Sequence, residues 1–358
     1  MNIVIRADAS IEIGTGHIMR CLTLAKQLKR HGTEVTFICR ELEGNMIDFL
    51  KKETIKVVSL PNVSKKNDNY SWMINNWEVD AKQTREALKG KPIDLLIVDH
   101  YAFDKKWEEK TRDISKKIMV IDDLADRSHD CDLLLDQNYY INKEKRYKNL
   151  IPDQAITLLG PNYALLRDEF IEAAKSAKVR SGKVNRILVF FGGSDPTRET
   201  IKTLLAIQEF NDKNLEIDVV VGASNPFKKI IENLCNQIPK ATYYCQINSI
   251  AELMNNADLS IGAGGTTLWE RAYLGLPSIV IAVAENQYNV SRDLSKLGAI
   301  KFLGKSKYTN IDSIRRTIKN VLENPEYVKK LSINSRCLVD DYVNRKVVLA
   351  IEELLYAN

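Results

Sequence analysis

The sequence has no polybasic arm, no low-complexity tract, no internal repeat and no long apolar run, and each absence removes a class of function. The longest stretches free of Asp, Glu, Lys and Arg are 13 residues, at 154–166 and 272–284, and both contain glycine and proline. A membrane-spanning helix needs roughly 20 apolar residues, so no membrane span is expected. The opening Met1-Asn-Ile-Val-Ile-Arg6-Ala-Asp8 carries charge where a secretory leader needs an apolar core, so no leader is expected. Cysteine is sparse and scattered, at 21, 39, 131, 235, 245 and 337, with no CxxC pair and no Cys/His cluster at zinc spacing. That pattern argues against a disulfide framework and a structural zinc; reduced thiols in a cytoplasmic protein are expected. The net charge of +5 is a small surplus of 52 basic over 47 acidic residues. It gives no reason to expect a nucleic-acid partner, whereas a small anionic ligand needs only a local positive site.

What is present is an ordinary globular mixture, 44% hydrophobic and 28% charged over 358 residues. At roughly 150 residues per domain, two domains are expected. Short β-rich runs alternate with helical stretches, the pattern of α/β domains with parallel sheets. In the first half the strand candidates are Ile3–Arg6, Glu34–Cys39, Ile93–Asp99, Lys117–Ile121 and Asp132–Leu135. Several are continuous apolar runs, as expected when helices cover both sheet faces. A helix is predicted over about Ile18–Arg30, with Gly32 as its stop. The polar stretch 62–79, with Trp72 and Trp77, reads as a surface excursion with the makings of a lid. Residues 172–185 are small, polar and basic and read as the linker.

The alternation then restarts, with strands at Arg186–Phe191, Glu216–Val221, Ala241–Tyr244, Asp258–Ile261 and Ser278–Val283. A helical tail follows, at about Ile311–Glu323, Tyr327–Asp340 and Arg345–Tyr356. The expectation is two Rossmann-like domains, 1–172 and 184–358, the second carrying the tail.

In open parallel sheets ligands bind beyond the carboxyl ends of the strands, so the strand-to-helix turns carry the functional signal. The first runs Arg6-Ala-Asp8 to Gly14-Thr-Gly16-His17. Its glycines allow close backbone approach, and a helix start attracts anions. A third glycine of the dinucleotide fingerprint is missing, since Met19 stands there. His17 is either a general base or a structural His at a helix start. Asp99-His100-Tyr101 and Asp122-Asp123 each follow an apolar strand; position favours cleft-facing groups, and the alternative is a buried Asp accepting backbone hydrogen bonds beside a packing Tyr. Asp130-Cys-Asp132 has the bare D-x-D pattern of metal-dependent sugar transferases, but it leads into an apolar strand and reads as structural; no catalytic metal is expected.

In the second half Gly192-Gly193-Ser194-Asp195-Pro196 meets an apolar strand, with Pro196 suited to a first helical position. Gly262-Ala-Gly264-Gly265-Thr266-Thr267 can cradle phosphates through backbone N–H and hydroxyl groups. Glu270 is either the closing member of a Thr267-x-x-Glu270 capping box or a carboxylate for ribose hydroxyls. Asn286 and Gln287 follow another strand and read as helix caps or as amides that orient a sugar or a water.

Taken in order, Arg6-x-Asp8, Gly14-x-Gly16-His17-x-x-Arg20-Cys-Leu, Asp99-His100-Tyr101, Tyr163-Ala-Leu-Leu-Arg167-x-Glu-Phe, Gly-Gly-Ser-Asp195, Gly-Gly-Thr-Thr-x-x-Glu270 and Glu-Asn286-Gln287 resemble the UDP-2,4-diacetamido-2,4,6-trideoxy-β-L-altropyranose hydrolases of pseudaminic acid synthesis and the related spore-coat polysaccharide proteins. The resemblance covers nearly the whole chain. It implies a glycosyltransferase-B fold with a UDP-sugar in the cleft, and loss of UDP by hydrolysis at the anomeric carbon. On that resemblance His17 activates water, while Tyr101 and Asn286 hold water or sugar. Arg167, the Gly264–Thr267 loop and Glu270 bind the nucleotide. Arg6, Asp8, Gly14, Gly16, Gly193, Ser194 and Gln287 complete the expected binding set. No cofactor or metal is implied, and a monomer is expected. The competing readings are a transferase of the same fold, using a sugar or lipid acceptor, and a non-catalytic nucleotide-sugar-binding protein. A nicotinamide dehydrogenase fits less well, because no acidic residue ends the second strand: Cys39-Arg40 stands there.

Overall fold

The computed structural model describes residues 1–62, 69–210, 214–247 and 249–356. It divides into two compact units: residues 1–138, 142–165 and 342–358 form the first, and 139–141 with 166–341 form the second.

The first unit opens with β1 (Asn2–Ala7), α1 (Gly16–Arg30), β2 (Glu34–Arg40), α2 (Ile47–Lys52), β3 (Lys56–Leu60), α3 (Asn69–Asn75) and α4 (Trp77–Leu88). It continues with β4 (Leu95–Asp99), α5 (Lys105–Thr111), β5 (Lys117–Ile121), β6 (Leu133–Asp136), α6 (Lys143–Arg146) and β7 (Ile156–Leu159). Its parallel sheet has the order β3-β2-β1-β4-β5-β6-β7. The strand order reverses between β1 and β4, which pair in parallel with Ala7 opposite Asp99. A crevice beyond that reversal is where the topology leaves room for a ligand. The central strands are apolar on both faces: Ile3, Ile5, Leu95 and Ile97 join one core cluster, and Val4, Leu96 and Val98 join another across the sheet.

In the second unit α7 (Asp168–Ala174) precedes β8 (Arg186–Phe190), α8 (Glu199–Gln208), β9 (Glu216–Val221), α9 (Lys228–Gln237), β10 (Ala241–Cys245) and α10 (Ala251–Asn256). Then come β11 (Leu259–Ala263), α11 (Thr267–Tyr273), β12 (Ser278–Ala282), α12 (Asn286–Lys296), β13 (Lys301–Lys305), α13 (Ile311–Leu322) and α14 (Pro325–Arg336). The sheet order is β10-β9-β8-β11-β12-β13, so the reversal lies between β8 and β11. Both sheets have the doubly wound, Rossmann-like arrangement expected.

Three expectations change. The last helix, α15 (Val343–Tyr356), belongs to the first unit: Val347, Val348, Ile351 and Leu354 pack into the β1–α1 core. Each such buried side chain is worth about 1.5–3 kcal/mol, so the helix is integral to that unit despite its place in the sequence. The stretch 172–185 is no free linker. Arg180 is buried and donates to the carbonyls of Ala257 and Met254 at 3.1 and 3.0 Å, strapping the segment to the second unit. Of the polar excursion, residues 63–68 lie outside the described residues. The remainder is helical, with Met73 fully buried and Trp72 over the Arg40 guanidinium. Among the described residues no helix is long and apolar enough to cross a membrane.

Candidate functional site

The turn after β1 is shaped by a short loop that folds back on itself. Gly14 donates to the Ser10 carbonyl at 2.8 Å, and the Ser10 hydroxyl accepts from the Ile13 N–H at 3.0 Å. Gly14 sits at φ +78°, a conformation that costs a side-chain-bearing residue energy. The chain then enters α1 at Gly16, with no side-chain cap from Thr15. His17 and Arg20, one helical turn apart, face the end of β4.

There the side chains converge on Asp99. His17 Nδ1 lies 2.5 Å from Asp99 Oδ1. Arg20 donates Nε to Oδ2 and Nη2 to Oδ1, both at 2.6 Å, and the Cys21 thiol donates to Oδ2 at 3.3 Å. Burial by itself raises the Asp99 carboxyl, but the Arg20 guanidinium and the His17 ring hold it well below the ordinary carboxylate range. An ionised carboxylate at Nδ1 fixes the Nδ1–H form of the imidazole and leaves Nε2 as the proton acceptor. Neither reading open at the sequence level, backbone acceptor or cleft group, describes Asp99 fully: its partners are side chains of α1.

A second carboxylate extends the cluster. Asp123, just past β5, takes Arg20 Nη1 at 2.7 Å, the Tyr101 hydroxyl at 2.6 Å and the Asn138 amide at 2.7 Å. The Tyr101 ring meets the His17 ring edge-on, with centroids 4.5 Å apart. The structure therefore brings His17 and Tyr101 together. It joins to them Asp99 and Asp123, which the sequence left open between cleft and buried roles, and adds Arg20 and Asn138, which it did not single out as site residues. The available signal was spacing: Arg20 lies at i+3 from His17, on the same helical face.

Arg6 and Asp8, expected to bind substrate, are fully buried and engaged elsewhere. Arg6 holds Asp8 at 2.6 Å and Asp80 at 2.7 Å; Asp80 also takes Arg40 and the Trp107 indole N–H. Asp8 accepts the Arg40 backbone N–H at 2.7 Å. Their charges are compensated inside the protein, so they brace the sheet end beneath the site. Asp130 and Asp132 are both held by Arg112, which accounts for the D-x-D pattern without a metal. Among the described residues no group of three or more His, Cys, Asp or Glu is arranged to hold a metal ion.

The second unit's sheet end is different. After β8, Gly193 and Ser194 are exposed, while Asp195 turns inward. Its carboxylate accepts the Glu199 and Thr200 N–H groups at 3.0 and 2.8 Å and so occupies the start of α8. Pro196 therefore lies in the loop and not at the first helical position expected. After β11, Gly264 is buried so tightly that a Cβ there would fall 2.6 Å from Ser291 Oγ, whereas Thr266 is exposed and Gly265 and Thr267 are half-buried. Gln287 accepts from the Gly264 and Val283 N–H groups at 3.2 and 3.1 Å, tying two turns together. Asn286 opens α12.

No side-chain cap forms at α11, so the capping-box reading of Glu270 fails. Glu270 instead receives a two-pronged grip from Arg167, Nε to Oε1 at 2.8 Å and Nη2 to Oε2 at 3.2 Å. Burial pushes the Glu270 carboxyl up, and Arg167 opposes that shift. A cavity of about 600 Å³ opens at the ends of β12 and β13, lined by Thr197, Ala284, Glu285, Lys305 and Tyr308 among others.

Comparison with known proteins places this geometry in context. Residues 187–344 match the glycosyltransferase family 28 C-terminal domain. The crystal structure of Acinetobacter baumannii MurG superposes with a TM-score of 0.67 at 14% identity, covering 98% of this chain and 99% of that one; the fold is of the glycosyltransferase-B type. A Methanocaldococcus jannaschii protein without an assigned function is 28% identical over 304 residues, 83% of this chain, which spans only 58% of its length. The UDP-2,4-diacetamido-2,4,6-trideoxy-β-L-altropyranose hydrolase of Campylobacter jejuni is 29% identical over 300 residues, covering 83% of this chain and 97% of that protein. The spore coat polysaccharide biosynthesis protein SpsG of Bacillus subtilis is 24% identical over 361 residues, 99% of this chain and 98% of its own. Relatives over most of the chain thus carry the two names that the sequence motifs resemble.

Proposed function

We propose that the chain hydrolyses a UDP-linked diacetamido-trideoxy sugar at its anomeric carbon, releasing UDP and the free sugar, with His17 as the base. The observation that carries this reading is the His17–Asp99 pair at the sheet reversal, 2.5 Å apart, beside the Tyr101 ring. Asp99 orients the imidazole and balances the charge that arises when Nε2 takes a proton from water. General bases of this kind contribute typically 10²–10⁴-fold. Tyr101, which donates its proton to Asp123 and lies edge-on to the His17 ring, is assigned to the water or the sugar by the resemblance. Asn286, in the second unit, is assigned to the sugar or the water by the same resemblance.

The nucleotide is assigned to the second unit. Backbone N–H groups and hydroxyls of Gly264–Thr267, with those of Gly193 and Ser194, suit the growing charge on the UDP leaving group. Glu270, held by Arg167, presents a carboxylate suited to ribose hydroxyls. The reading uses no metal and no cofactor. Relatives named as hydrolases support it.

A transferase reading is favoured by two observations, the family 28 domain match and the likeness to MurG. Incubation of the purified protein with UDP-sugars and no acceptor separates the two. UDP release with free sugar at catalytic turnover is expected; release only on adding an acceptor would overturn hydrolysis. His17→Ala should lose most turnover and keep its affinity for UDP. Wild-type release by that variant would remove His17 from the role.

A further inference from the structure

Arg20 does not stand among the residues assigned above to substrate, yet it touches both groups that hold the catalytic side chains. It is buried, on the second turn of α1, with its guanidinium between two carboxylates. Nε and Nη2 meet the two oxygens of Asp99 at 2.6 Å each, while Nη1 meets the two oxygens of Asp123 at 3.0 and 2.7 Å. Each carboxylate passes the contact on. Asp99 Oδ1 also meets His17 Nδ1, and Asp123 Oδ2 also takes the Tyr101 hydroxyl.

We propose that Arg20 is a positioning residue that locks the His17–Asp99 pair and the Tyr101–Asp123 pair into one unit, so that imidazole and phenol meet the substrate in a fixed mutual geometry. The proposal rests on the reading of His17 as the base. It adds a residue, and a coupling between two side chains, to that reading.

The chemistry favours arginine at this place. A planar five-donor fork grips one carboxylate in two-pronged fashion and reaches a second with its remaining nitrogen; an ammonium, being a point charge, cannot fix both in one plane. The charge count matters as well. Asp99 and Asp123 bring two negative charges into a buried site and Arg20 returns one positive charge. The imidazolium that forms at His17 when water is deprotonated adds a second positive charge beside the two carboxylates. Without Arg20, two carboxylates would face His17 with no cation between them. The imidazole would then hold its proton more tightly, which depletes the base near neutral pH. Other groups also bear on this cluster. The Cys21 thiol and the Asn138 amide donate to Asp99 and Asp123, and Arg20 Nη2 itself lies 3.3 Å from His17 Nδ1. Asp136 feels the Asp123 charge, Arg146 donates to the Asp123 carbonyl at 3.0 Å and meets Asp136 at 3.3 Å, and His100 feels the His17 charge.

The test compares Arg20→Met, Arg20→Lys and Asp123→Asn with the wild type and with His17→Ala. It reads kcat, KM, UDP affinity by calorimetry and the pH dependence of kcat/KM. Arg20→Met is expected to lower kcat on the order of 10²-fold, the lower end of what a general base supplies, with KM and UDP affinity within a factor of about three. The acid limb of its pH profile should move to higher pH, because uncompensated carboxylates favour the protonated ring. Arg20→Lys should recover part of kcat and move the limb back toward the wild-type position. Asp123→Asn, which keeps shape but removes one negative charge and loosens the Tyr101 arm, should lower kcat by about tenfold and move the acid limb toward lower pH, opposite to Arg20→Met.

A merely structural role would lower melting temperature and yield without moving the pH limb. Should Arg20→Met fail to fold, the Arg20→Lys profile and the Asp123→Asn kinetics decide. Wild-type kcat and an unmoved limb in Arg20→Lys, with wild-type kcat in Asp123→Asn, would overturn the coupling. If those variants are unaffected while His17→Ala is inactive, the base assignment stands and the positioning role falls. If His17→Ala is itself fully active, the hydrolase mechanism falls first.

Discussion

At the carboxyl end of the first sheet, His17, Arg20, Asp99, Tyr101 and Asp123 meet as ionisable side chains; at the same end of the second sheet, the turns after β8 and β11 offer glycines, hydroxyls and one buried pair, Arg167 with Glu270. Both units have the same doubly wound topology, and both place these groups beside their strand-order reversal. The difference lies in what the turns present. Side chains that share and move protons need neighbours that fix their charge state, and the first unit supplies them from α1, β4 and the turn after β5. The second unit's turns instead present backbone and hydroxyls, around a buried Gly264 where a Cβ would fall 2.6 Å from Ser291 Oγ. One topology thus carries a cluster of ionisable side chains in one unit and glycine- and hydroxyl-rich turns in the other, read under the proposed function as an acid–base site and a nucleotide surface.

The sharpest way to break that contrast is Asp99→Asn. The amide keeps shape but presents the wrong partner to Nδ1, so turnover should fall on the order of 10²–10⁴-fold with UDP affinity retained. Steady-state kinetics alongside calorimetry would detect it, and an unchanged kcat would show that the first unit's cluster is structural. Arg6→Met comes next and acts on stability. It leaves the buried Asp8 without its guanidinium partner and Asp80 with Arg40 and Trp107 alone, and breaking a buried pair costs about 3–5 kcal/mol. Denaturant titration should show that loss; a variant as stable as wild type would contradict the bracing role given to Arg6.

A smaller effect is expected in the second unit. Glu270→Gln should raise KM about tenfold, some 1.4 kcal/mol, with kcat nearly unchanged, because it weakens a contact made in the ground and transition states alike. A fall in kcat at constant KM would move Glu270 into the chemistry and blur the comparison.

The smallest effect concerns Asp136, beside the catalytic cluster. Burial, reinforced by Asp123, pushes its carboxyl from 3.8 up to about 7. The folded protein therefore keeps a proton that the unfolded chain has already released, and stability contributed by this group falls as pH rises through that window. In Asp136→Asn that loss is absent. Its melting temperature relative to wild type should climb from pH 4 to pH 8, at about 2–4 °C for each kcal/mol. A constant difference across that range would contradict the assignment.

Much of the fold was legible because its central strands are buried on both faces. Ile93–Asp99 and Lys117–Ile121 are continuous apolar runs, and a parallel sheet covered by helices requires them. Of the four edge strands, β10 was legible as Ala241–Tyr244, while β3, β7 and β13 were not. β3 and β13 carry lysines and half-buried positions, since one side of an edge strand lacks a neighbour to enforce apolarity. α15 reads correctly as a helix, but nothing in an amphipathic pattern says which core it joins. At the site, His17 and Tyr101 stood out because strand ends and glycines flank them. Arg20–Asp123 and Arg167–Glu270 are each 103 residues apart in sequence, and no local pattern pairs them. Arg6 and Asp8 misled for a related reason: the end of a strand was legible, but not the depth at which Asp80 and Arg40 would enclose it.

The most direct measurement is the fate of oxygen during turnover in ¹⁸O-labelled water, with the products weighed by mass spectrometry. Water activated by His17 at the anomeric carbon predicts label in the free sugar and none in UDP. Label in UDP would place the attack at phosphorus and contradict the account.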